Sequence, residues 1–349
     1  MRLLVTGGAG FIGSEFVRST LRGELPGSAG AHVTVLDRLS YSGNLRNLDP
    51  VAGHPRYRFV CGDVSDPLAV DEVVAGHDAI VHFAAETHVD RSLVSAARFV
   101  QTNVLGTQTL LEAADRHRVG RFVHVSTDEV YGSIAHGSWT EESPLAPNIP
   151  YAAAKAGSDL LALAWGRTRN LDVVVTRCTN NYGHHQYPEK VIPLFVTNLL
   201  EGKPVPLYGD GRNRRDWLHV ADHCQGIQLV LLGGRTGETY NIGGGTELSN
   251  RELTDRLLAA CGAGQEMIRH VPDRRNHDFR YSVDITKIRS ELGYEPRVSF
   301  DDGLLATVDW YRANRAWWEP LKSSAPPITG QDALAQSRQD SRLRASTFR

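Results

Sequence analysis

The chain has 349 residues, of which 41% are apolar and 22% charged, a balance typical of globular proteins and unlike that of disordered or collagen-like chains. Its 38 basic and 40 acidic side chains leave a formal charge of −2, so no global positive field would attract nucleic acid. The length fits two structural units, or one large α/β unit with an added lobe. We therefore expect a globular protein without a nucleic-acid partner.

Hydropathy and cysteine spacing bear on location and on metal binding. No apolar run approaches the roughly 20 residues that a membrane-spanning helix requires. Residues 1–10 become glycine-rich before a signal-peptide segment could form. These features predict a cytoplasmic protein without a membrane partner. The cysteines lack the paired spacing of zinc sites or redox dithiols, so we expect reduced core thiols and no metal. They are Cys61, Cys178, Cys224 and Cys261.

Short β-branched runs alternate with longer helical patterns in the first half of the chain, as they do in β-α-β units. Strands are predicted at residues 3–6, 33–37, 57–61, 79–82, 121–126 and 173–177. Helices are predicted at 92–117, with Asp90 or Ser92 as the cap, and at 151–169. This pattern predicts the α/β class and a Rossmann-type doubly wound parallel sheet.

Shorter elements separated by turns rich in glycine, proline and asparagine follow residue 178, which predicts a smaller C-terminal α/β lobe for substrate binding. Ser249 and Glu252 have the spacing of a capping box that opens a helix through Ala260. We expect a sheet domain at 1–178, mainly the substrate-binding lobe at 179–320, and a polar tail at 321–349. Segments of the second region can interleave with the first.

A glycine loop follows the first predicted strand, in the Gly-x-x-Gly-x-x-Gly spacing of a dinucleotide site. It comprises Gly7, Gly10, Phe11, Ile12 and Gly13. Such a loop needs a tight turn and a bare backbone, so that a pyrophosphate can reach the helix N-terminus. The second predicted strand ends at Asp37, whose carboxylate can bind both ribose hydroxyls and would repel a 2′-phosphate. The domain at 1–178 is therefore expected to bind NAD rather than NADP.

Two later strand ends are further candidates for the cofactor site. Asp63 and Val64 follow the third predicted strand, where they can border the adenine. Phe83, Ala84 and Ala85 follow the fourth, where small residues allow close packing against the cofactor. Both positions agree with the rule that open α/β sheets bind ligands at the carboxyl ends of their strands.

Tyr151 and Lys155 are four positions apart, so a helix places both side chains on one face. The pair is informative because the chain has 11 tyrosines and only five lysines. We expect the ammonium to lower the tyrosine pKa from about 10, which would make Tyr151 a base near neutral pH. The alternative is an exposed tyrosine beside a solvated lysine.

Thr127, Asp128 and Glu129 follow the fifth predicted strand. An acidic pair at the end of a buried strand is costly to desolvate unless it is paired or used. If the surroundings separate the two pKa values, one carboxyl can act as an acid and the other as a base. The alternative is that the pair caps the following turn.

These motifs resemble those of a known family. The glycine loop, Thr127 and the Tyr-Lys pair are similar to those of the extended short-chain dehydrogenase/reductases. The string Thr-Asp-Glu-Val-Tyr-Gly at 127–132 resembles that of the nucleotide-sugar 4,6-dehydratases. Further similar strings begin at residues 85, 177, 188, 215 and 277, so the resemblance covers about residues 1–318.

The resemblance implies a three-step dehydration of a nucleotide sugar, with dTDP-glucose favoured as the substrate and NAD as the cofactor. Tyr151 would take the proton of the 4-hydroxyl while the C4 hydride passes to NAD, and Thr127 would hydrogen-bond the same oxygen. Glu129 would then remove the C5 proton as Asp128 protonates the departing 6-hydroxyl. The hydride would finally return to C6.

The resemblance also implies the binding residues. A nucleoside diphosphate requires cations, and arginine offers a planar fork of donors. Arg215 and Arg274 are implied to bind phosphate, and Lys190 and Asn180 to contact the sugar or the diphosphate. The other implied contacts are Thr87, Thr127, Asn250, His277 and Tyr281 for the substrate, and Tyr151, Lys155 and Asn181 for the cofactor. At 275–276 an Arg-Asn pair stands where the family usually has Pro-Gly, which leaves the shape of this loop open.

Two other functions compete with dehydration. A nucleotide-sugar 4-epimerase shares the glycine loop, Thr127 and the Tyr-Lys pair, but it needs no acid/base pair for removing water, so Asp128 and Glu129 favour the dehydratase. A catalytically silent NAD-binding regulator would be expected to lack one of these residues. The resemblance further implies a homodimer with a four-helix contact between residues 92–117 and 151–169, which their apolar patterning permits.

Overall fold

The computed structural model describes residues 1–169, 171–273 and 277–324. Its strands are β1 Arg2–Thr6, β2 His32–Asp37, β3 Tyr57–Cys61, β4 Ala79–His82, β5 Arg121–Thr127, β6 Val173–Cys178, β7 Asn180–Tyr182, β8 Val205–Tyr208, β9 Arg214–His219, β10 Thr239–Ile242, β11 Thr246–Ser249 and β12 Ile268–Val271. Its α-helices are α1 Phe11–Arg22, α2 Pro67–Val74, α3 Val89–Val94, α4 Ala96–Phe99, α5 Gly106–Arg116, α6 Pro150–Thr168, α7 Val191–Leu200, α8 Val220–Gly233, α9 Asn250–Cys261, α10 Thr286–Leu292, α11 Phe300–Ala313 and α12 Arg315–Ser324. Short 3-10 turns at Leu45–Val51, Asp128–Tyr131 and Gln265–Met267 and a π-helical turn at Val100–Leu105 complete the described elements.

A parallel sheet in the order β10-β6-β5-β4-β1-β2-β3 forms the centre of the described chain. Strands β1, β2, β4, β5 and β6 are rich in apolar side chains and largely buried, as expected for strands that are covered on both faces, whereas the edge strand β3 is partly exposed. Helices α1 and α8 pack on one face around Phe16 and Ile227, and α2, α5 and α6 pack on the other around Leu110, Phe122 and Ala162. The strand order reverses between β1 and β4, which opens a crevice at their carboxyl ends.

A second lobe follows β6. It contains a small sheet in the order β11-β9-β7 and the pair β12-β8. Helices α7, α9 and α11 pack on these strands around Trp217, Leu253 and Phe300. Between these elements the chain returns to the central sheet, because α8 packs on it and β10 pairs with β6. The two regions therefore interleave.

The predicted strands are confirmed, each with ends within one residue of those observed. The capping box is also present: the Ser249 side chain accepts a hydrogen bond from the Glu252 N–H, and the Glu252 carboxylate accepts one from the Ser249 N–H. Helix α6 begins at Pro150 and carries Tyr151 and Lys155 as predicted. These features depend on short-range patterns, which the sequence displays directly.

The single helix predicted at 92–117 is wrong. Ser95, with φ −143° and ψ 74°, separates α3 from α4, and the π-helical turn Val100–Leu105 precedes α5. The predicted caps are also wrong, because α3 begins earlier and His88 is its N-cap, with Nδ1 accepting from the Arg91 N–H at 3.4 Å. An apolar repeat of three and four positions shows neither a local break nor a π turn.

Two other expectations are corrected. The polar tail does not begin at 321, because α12 continues to Ser324, Leu321 packs on the second-lobe core, and Lys322 Nζ donates to Glu201 Oε2 at 2.8 Å. Residues 325–349 lie outside the described residues. Cys61 is exposed at the end of the edge strand β3, so it is not a core thiol, whereas Cys178 and Cys224 are buried.

Candidate active site

Two cavities open at the carboxyl ends of the central strands. The glycine-loop cavity, of about 270 Å³, lies along the loop between β1 and α1. The inter-lobe cavity, of about 680 Å³, lies between the central sheet and the second lobe. The residues that line both are Glu129, Asn180, Asn181, Gln186, Glu189 and Lys190. The cavities therefore adjoin, and Glu129 lies at their junction.

The glycine loop has the shape that its sequence predicts. Gly7 has a φ of +70°, and a Cβ there would lie 2.6 Å from the Ala84 nitrogen. A Cβ on Gly13 would overlap the Gly7 carbonyl oxygen. Gly10 is the N-cap of α1, and Phe11, Ile12 and Gly13 of the first turn line the glycine-loop cavity. The bare turn and the helix N-terminus suit a pyrophosphate.

Asp37 connects β2 to the glycine loop. Its Oδ2 accepts from the Ala9 N–H at 3.0 Å and its Oδ1 from the Leu39 N–H at 2.8 Å, while burial raises the pKa of the carboxyl. The adjacent Arg38 is paired with Asp63 at 2.9 Å and also with Glu86. The positive charge of Arg38 is thus balanced by these two carboxylates.

The structure brings most of the other cofactor candidates to the same cavity. Lining residues include Val64, Phe83, Ala84, Ala85, Tyr151, Lys155 and Asn181. The Asp63 carboxylate is bound by Arg38 and by the backbone and hydroxyl of Ser65, each at 2.9 Å. Its neighbours Gly62 and Val64 line the cavity.

Tyr151 and Lys155 lie on one face of α6, but their electrostatics differ from the expectation. Burial is the largest effect on Tyr151 and raises its pKa well above 10, and the negative charge of Glu129 raises it further. A hydrogen bond with Thr127 acts in the opposite direction. The Lys155 ammonium donates to the Val125 carbonyl at 2.7 Å. The predicted lowering of the Tyr151 pKa is therefore wrong for this structure, because desolvation dominates.

Asp128 and Glu129 begin the 3-10 turn after β5, with Thr127 as its cap. Asp128 is only 2% exposed. Burial raises the pKa of Asp128 well above its ordinary value, Glu129 and Asp216 raise it further, and Arg215 lowers it. Burial therefore favours the protonated form of Asp128, and Glu129 reaches the junction of the two cavities. The arrangement can supply an acid and a base to one ligand.

The inter-lobe cavity collects the substrate candidates of the second lobe, namely Asn180, Lys190, Arg215, Asn250, His277 and Tyr281. The Arg215 guanidinium lies 4.4 Å from the centre of the Tyr281 ring and donates to the Asp278 carbonyl at 3.0 Å. Thr87 lines the glycine-loop cavity instead, and its carbonyl accepts from Lys190 Nζ at 2.9 Å. Arg274 and the Arg-Asn pair at 275–276 lie outside the described residues.

The structure also adds lining residues that the sequence analysis missed, including Arg38, Cys178, Glu189 and Tyr208. Arg38 directly follows Asp37, and Glu189 directly precedes Lys190. Their position next to a candidate residue is the feature of the sequence that could have identified them. The sequence predicts only a core position for Cys178. Burial raises the pKa of its thiol, and Sγ donates to the Ser126 carbonyl at 3.4 Å.

No helix among the described residues has the length and apolar character needed to span a bilayer. Within the same ranges, no group of three or more His, Cys, Asp or Glu side chains is arranged to hold a metal ion.

Comparison with known proteins decides the family. The sequence profile described as GDP-mannose 4,6 dehydratase matches residues 4–307. The chain belongs to this family. A dTDP-glucose 4,6-dehydratase of Streptomyces niveus is 73% identical over 323 residues, which cover 93% of this chain and 96% of that protein. A dTDP-glucose 4,6-dehydratase of Streptomyces antibioticus is 60% identical over 333 residues, covering 94% and 98%.

Solved structures similar to this member of the GDP-mannose 4,6 dehydratase family include both dehydratases and epimerases. DesIV, the dTDP-glucose 4,6-dehydratase of Streptomyces venezuelae solved with NAD bound, has a TM-score of 0.91 and 64% identity, covering 92% of this chain and 100% of that one. A UDP-glucose 4-epimerase of Thermotoga maritima has a TM-score of 0.83 and 31% identity, covering 90% and 100%. The fold is thus shared with epimerases, while the sequence is closer to dehydratases.

Lys155 of this family member should titrate at an unusually low pH. Burial lowers its pKa to about 8, although Asp159 and Cys178 act in the opposite direction. The ammonium is therefore charged below this pH and neutral above it. In protein labelled with ¹³C only at lysine Cε, we expect a resonance with a titration midpoint near pH 8 that Lys155→Arg removes. Lys287→Arg, the matched control, should leave it in place. A midpoint for Lys155 at its ordinary value of about 10.4 would contradict this effect of burial.

Proposed function

We propose that this protein converts dTDP-glucose to dTDP-4-keto-6-deoxyglucose, a hydro-lyase reaction in which NAD is reduced and reoxidised within each turnover. The observation that carries the proposal is the position of Asp128 and Glu129, which directly follow Thr127 and line the glycine-loop cavity together with Tyr151. Glu129 also lines the inter-lobe cavity. Tyr151 and Lys155, which suit the oxidation of an alcohol, thus line the same cavity as Asp128 and Glu129, which suit the removal of water. The relatives that are 60% to 73% identical bear the same activity in their names.

The glycine-loop cavity fits NAD. The loop of Gly7, Gly10, Phe11, Ile12 and Gly13 would hold the pyrophosphate, and Asp37 the adenosine ribose. Glycine at positions 7 and 13 permits the tight turn, because a Cβ on either residue would overlap backbone atoms of the protein. The turn brings the N-terminus of α1 to the cavity, which supports this assignment. NAD supplies an acceptor for the C4 hydride, returns that hydride to C6, and in its oxidised form adds a positive charge that favours the Tyr151 phenolate.

The first step belongs to the residues of β5 and α6. Tyr151 accepts the proton of the 4-hydroxyl as C4 is oxidised, and Thr127 donates a hydrogen bond to the same oxygen. The Lys155 ammonium stabilises the negative charge that develops on Tyr151. The product of this step is a 4-ketone, which acidifies the hydrogen on C5.

The second step belongs to the acidic pair. Glu129 removes the C5 proton, and Asp128, which burial favours in its protonated form, gives its proton to the 6-hydroxyl. The C6–O bond breaks and water leaves. A proton is returned to C5 when C6 is reduced, which completes the 4-keto-6-deoxy sugar. One carboxyl thus acts as the acid and its neighbour as the base of a single elimination.

The nucleotide is assigned to the second lobe. Arg215 and Arg274 would pair with the diphosphate, and Lys190, Asn180 and Thr87 would contact the sugar or its diphosphate. Asn250, His277 and Tyr281 would line the nucleoside site. This assignment gives a cofactor domain at 1–178 and a mainly substrate-binding lobe at 179–320, with α8 and β10 returning to the first.

A nucleotide-sugar 4-epimerase is the second candidate. It is favoured by the shared Thr127, Tyr151 and Lys155 and by the epimerase structure with a TM-score of 0.83. Epimerisation would give Asp128 and Glu129 no catalytic role, although burying the Asp128 carboxyl costs free energy. A silent NAD-binding regulator would give no catalytic role to any of the five residues, which are Thr127, Asp128, Glu129, Tyr151 and Lys155. We therefore favour dehydration.

Glucose activated with dTDP and carrying deuterium at C4 separates these functions. We expect a 4-keto-6-deoxy product with the deuterium at C6, because the hydride removed from C4 is the one that returns to C6. Mass spectrometry and NMR of the product locate the label. UDP-glucose and GDP-mannose serve as comparison substrates and should react more slowly. A C4-inverted sugar would establish the epimerase, and bound cofactor without turnover would support the regulator.

Replacing Asp128 by Asn should slow the loss of water more than the oxidation at C4. The amide keeps the shape of the side chain but has no acidic proton, and general acid catalysis contributes about 100-fold or more. We expect reduced cofactor to accumulate, observed by its absorbance in stopped flow. Glu142→Gln, at an exposed carboxylate of the loop before α6, is the matched control. Unchanged turnover in Asp128→Asn would remove this residue from the acid role.

We further propose that the protein works in the cytoplasm as a homodimer. Its four cysteines are free thiols, which suits a reducing compartment. Apolar side chains are exposed on the neighbouring helical segments that would form the contact: Val100 is 53% exposed, Leu105 49% and Leu160 55%. Helices α5 and α6 pack side by side, and Trp165 Nε1 donates to Gln108 Oε1 at 2.9 Å. A two-fold axis would join two such pairs into a four-helix contact.

Introducing a charge into this face should dissociate the dimer. Leu160→Lys would place an ammonium in the apolar contact, and we expect light scattering to report the mass of one chain instead of two at micromolar concentration. Leu305→Lys, at a leucine that is 50% exposed on α11, should keep the mass of the unaltered protein. A dimer in both variants would exclude this face as the contact.

A further inference from the structure

The tyrosine of the Thr-Asp-Glu-Val-Tyr-Gly string has no part in the chemistry above. Tyr131 ends the 3-10 turn Asp128–Tyr131, whose first two residues are the acidic pair. Its ring is buried and stacks on Trp139, with ring centres 6.1 Å apart and an interplanar angle of 23°. The turn that carries the acid and the base is therefore anchored at its last residue.

The hydroxyl of Tyr131 joins this turn to two strands of the central sheet. It accepts from Arg177 Nη1 at 2.8 Å and donates to Asn241 Oδ1 at 2.9 Å. Burial raises the pKa of Tyr131 to about 12, so the hydroxyl keeps the proton that it donates. Arg177 belongs to β6 and Asn241 to β10. The position of the turn is thus set relative to the sheet.

Asn241 is itself held in one orientation. Its backbone N–H donates to Glu141 Oε1 at 2.8 Å, and its Nδ2 donates to the carbonyls of Trp139 at 3.1 Å and Asp284 at 3.3 Å. With the amide nitrogen committed to two carbonyls, the amide oxygen faces Tyr131. The acceptor that orients the Tyr131 hydroxyl is therefore preorganised.

Arg177 continues the connection to the helix of the Tyr-Lys pair. Its Nε donates to Asp159 Oδ2 at 2.9 Å, and both side chains are buried. Asp159 lies on α6, four residues after Lys155 and eight after Tyr151, so all three share one helix face. One guanidinium thus links the turn of the acidic pair to the helix of the oxidation pair.

A contribution to stability does not by itself explain the buried hydrogen bonds that join Tyr131, Arg177 and Asp159. The cost of desolvating a buried ion pair often matches its attraction, so an apolar pair of similar size could stabilise the fold as well. A guanidinium differs from an apolar side chain in direction, because its donors are fixed in one plane. One arm of Arg177 binds Asp159 and another binds Tyr131, which sets a defined separation between their elements.

We propose that Tyr131, Arg177 and Asp159 are positioning residues that hold Asp128 and Glu129 at a fixed distance from Tyr151 and Lys155. One bound sugar can then be oxidised at C4 and dehydrated across C5 and C6 without moving. The inference rests on the proposed dehydratase function and adds to it the means by which two pairs on different elements are kept in register.

Removing the hydrogen bonds of the Tyr131 hydroxyl should affect the oxidation and the elimination unequally. The acidic pair stands on a four-residue turn, whereas Tyr151 and Lys155 stand on a helix of 19 residues, with Lys155 also bonded to Val125. The turn is therefore the element that shifts. Because a displacement on the order of 1 Å costs about 100-fold in rate, even a smaller shift should slow the elimination measurably.

The test compares Tyr131→Phe with Tyr240→Phe. Both changes remove one hydroxyl from a buried ring, but the Tyr240 hydroxyl bonds to Glu291 at 2.7 Å and to the Arg235 N–H at 3.0 Å, away from the acidic pair. For Tyr131→Phe we expect kcat to fall about tenfold or more, with the KM for dTDP-glucose within about twofold and reduced cofactor accumulating during turnover. Tyr240→Phe should match the unaltered enzyme in all three.

Arg177→Lys is the second variant, because it keeps the buried charge and removes the planar fork. It should also accumulate reduced cofactor, and it provides the same readout if Tyr131→Phe does not fold. The role of Tyr131 is overturned if kcat is unchanged, or if both steps slow equally so that the level of reduced cofactor stays that of the unaltered enzyme. Absence of dehydration by the unaltered enzyme would instead remove the proposed function itself.

Discussion

The burial of Asp128 beside Glu129 is the constraint on which the site depends. Two neighbouring carboxyls in a cavity cannot both ionise cheaply, and burial raises the pKa of Asp128 further. The charges that act on this carboxyl from a distance, Arg215 and Asp216, both belong to β9 of the second lobe. Burial and Glu129 thus raise the pKa of this residue at the end of β5, and the second lobe adds two charges that act on it in opposite directions.

The rest of the site is built by close contacts between strand ends. Gly7 leaves room for the backbone of Ala84, and Asp37 receives the Ala9 N–H, so β1, β2 and β4 are tied together around the loop. Tyr131 and Arg177 tie the end of β5 to β6. Parallel strands bring all these ends to one edge of the sheet, which is why residues far apart in sequence can act on one ligand.

Features that depend on neighbouring residues could be predicted. The strand ends, the glycine loop, the spacing of Tyr151 and Lys155 and the capping box at Ser249 each rest on a pattern of a few positions. The failures concern properties that depend on distant groups. Ser95 interrupts a helical pattern, Cys61 is exposed because β3 is an edge strand, and the pKa of Tyr151 rises although Lys155 is on the same helix face.

The order of residues by itself determined the α/β class, the position of the glycine loop and the presence of an acidic pair after the fifth strand, because periodicity and turn chemistry are local. Tertiary structure alone decided which of these groups are buried, which charges face them and which cavity each lines. Desolvation and Coulomb interactions depend on distances in space. Those distances are set by packing between β5, α6 and the second lobe, whose residues lie more than a hundred positions apart in the chain.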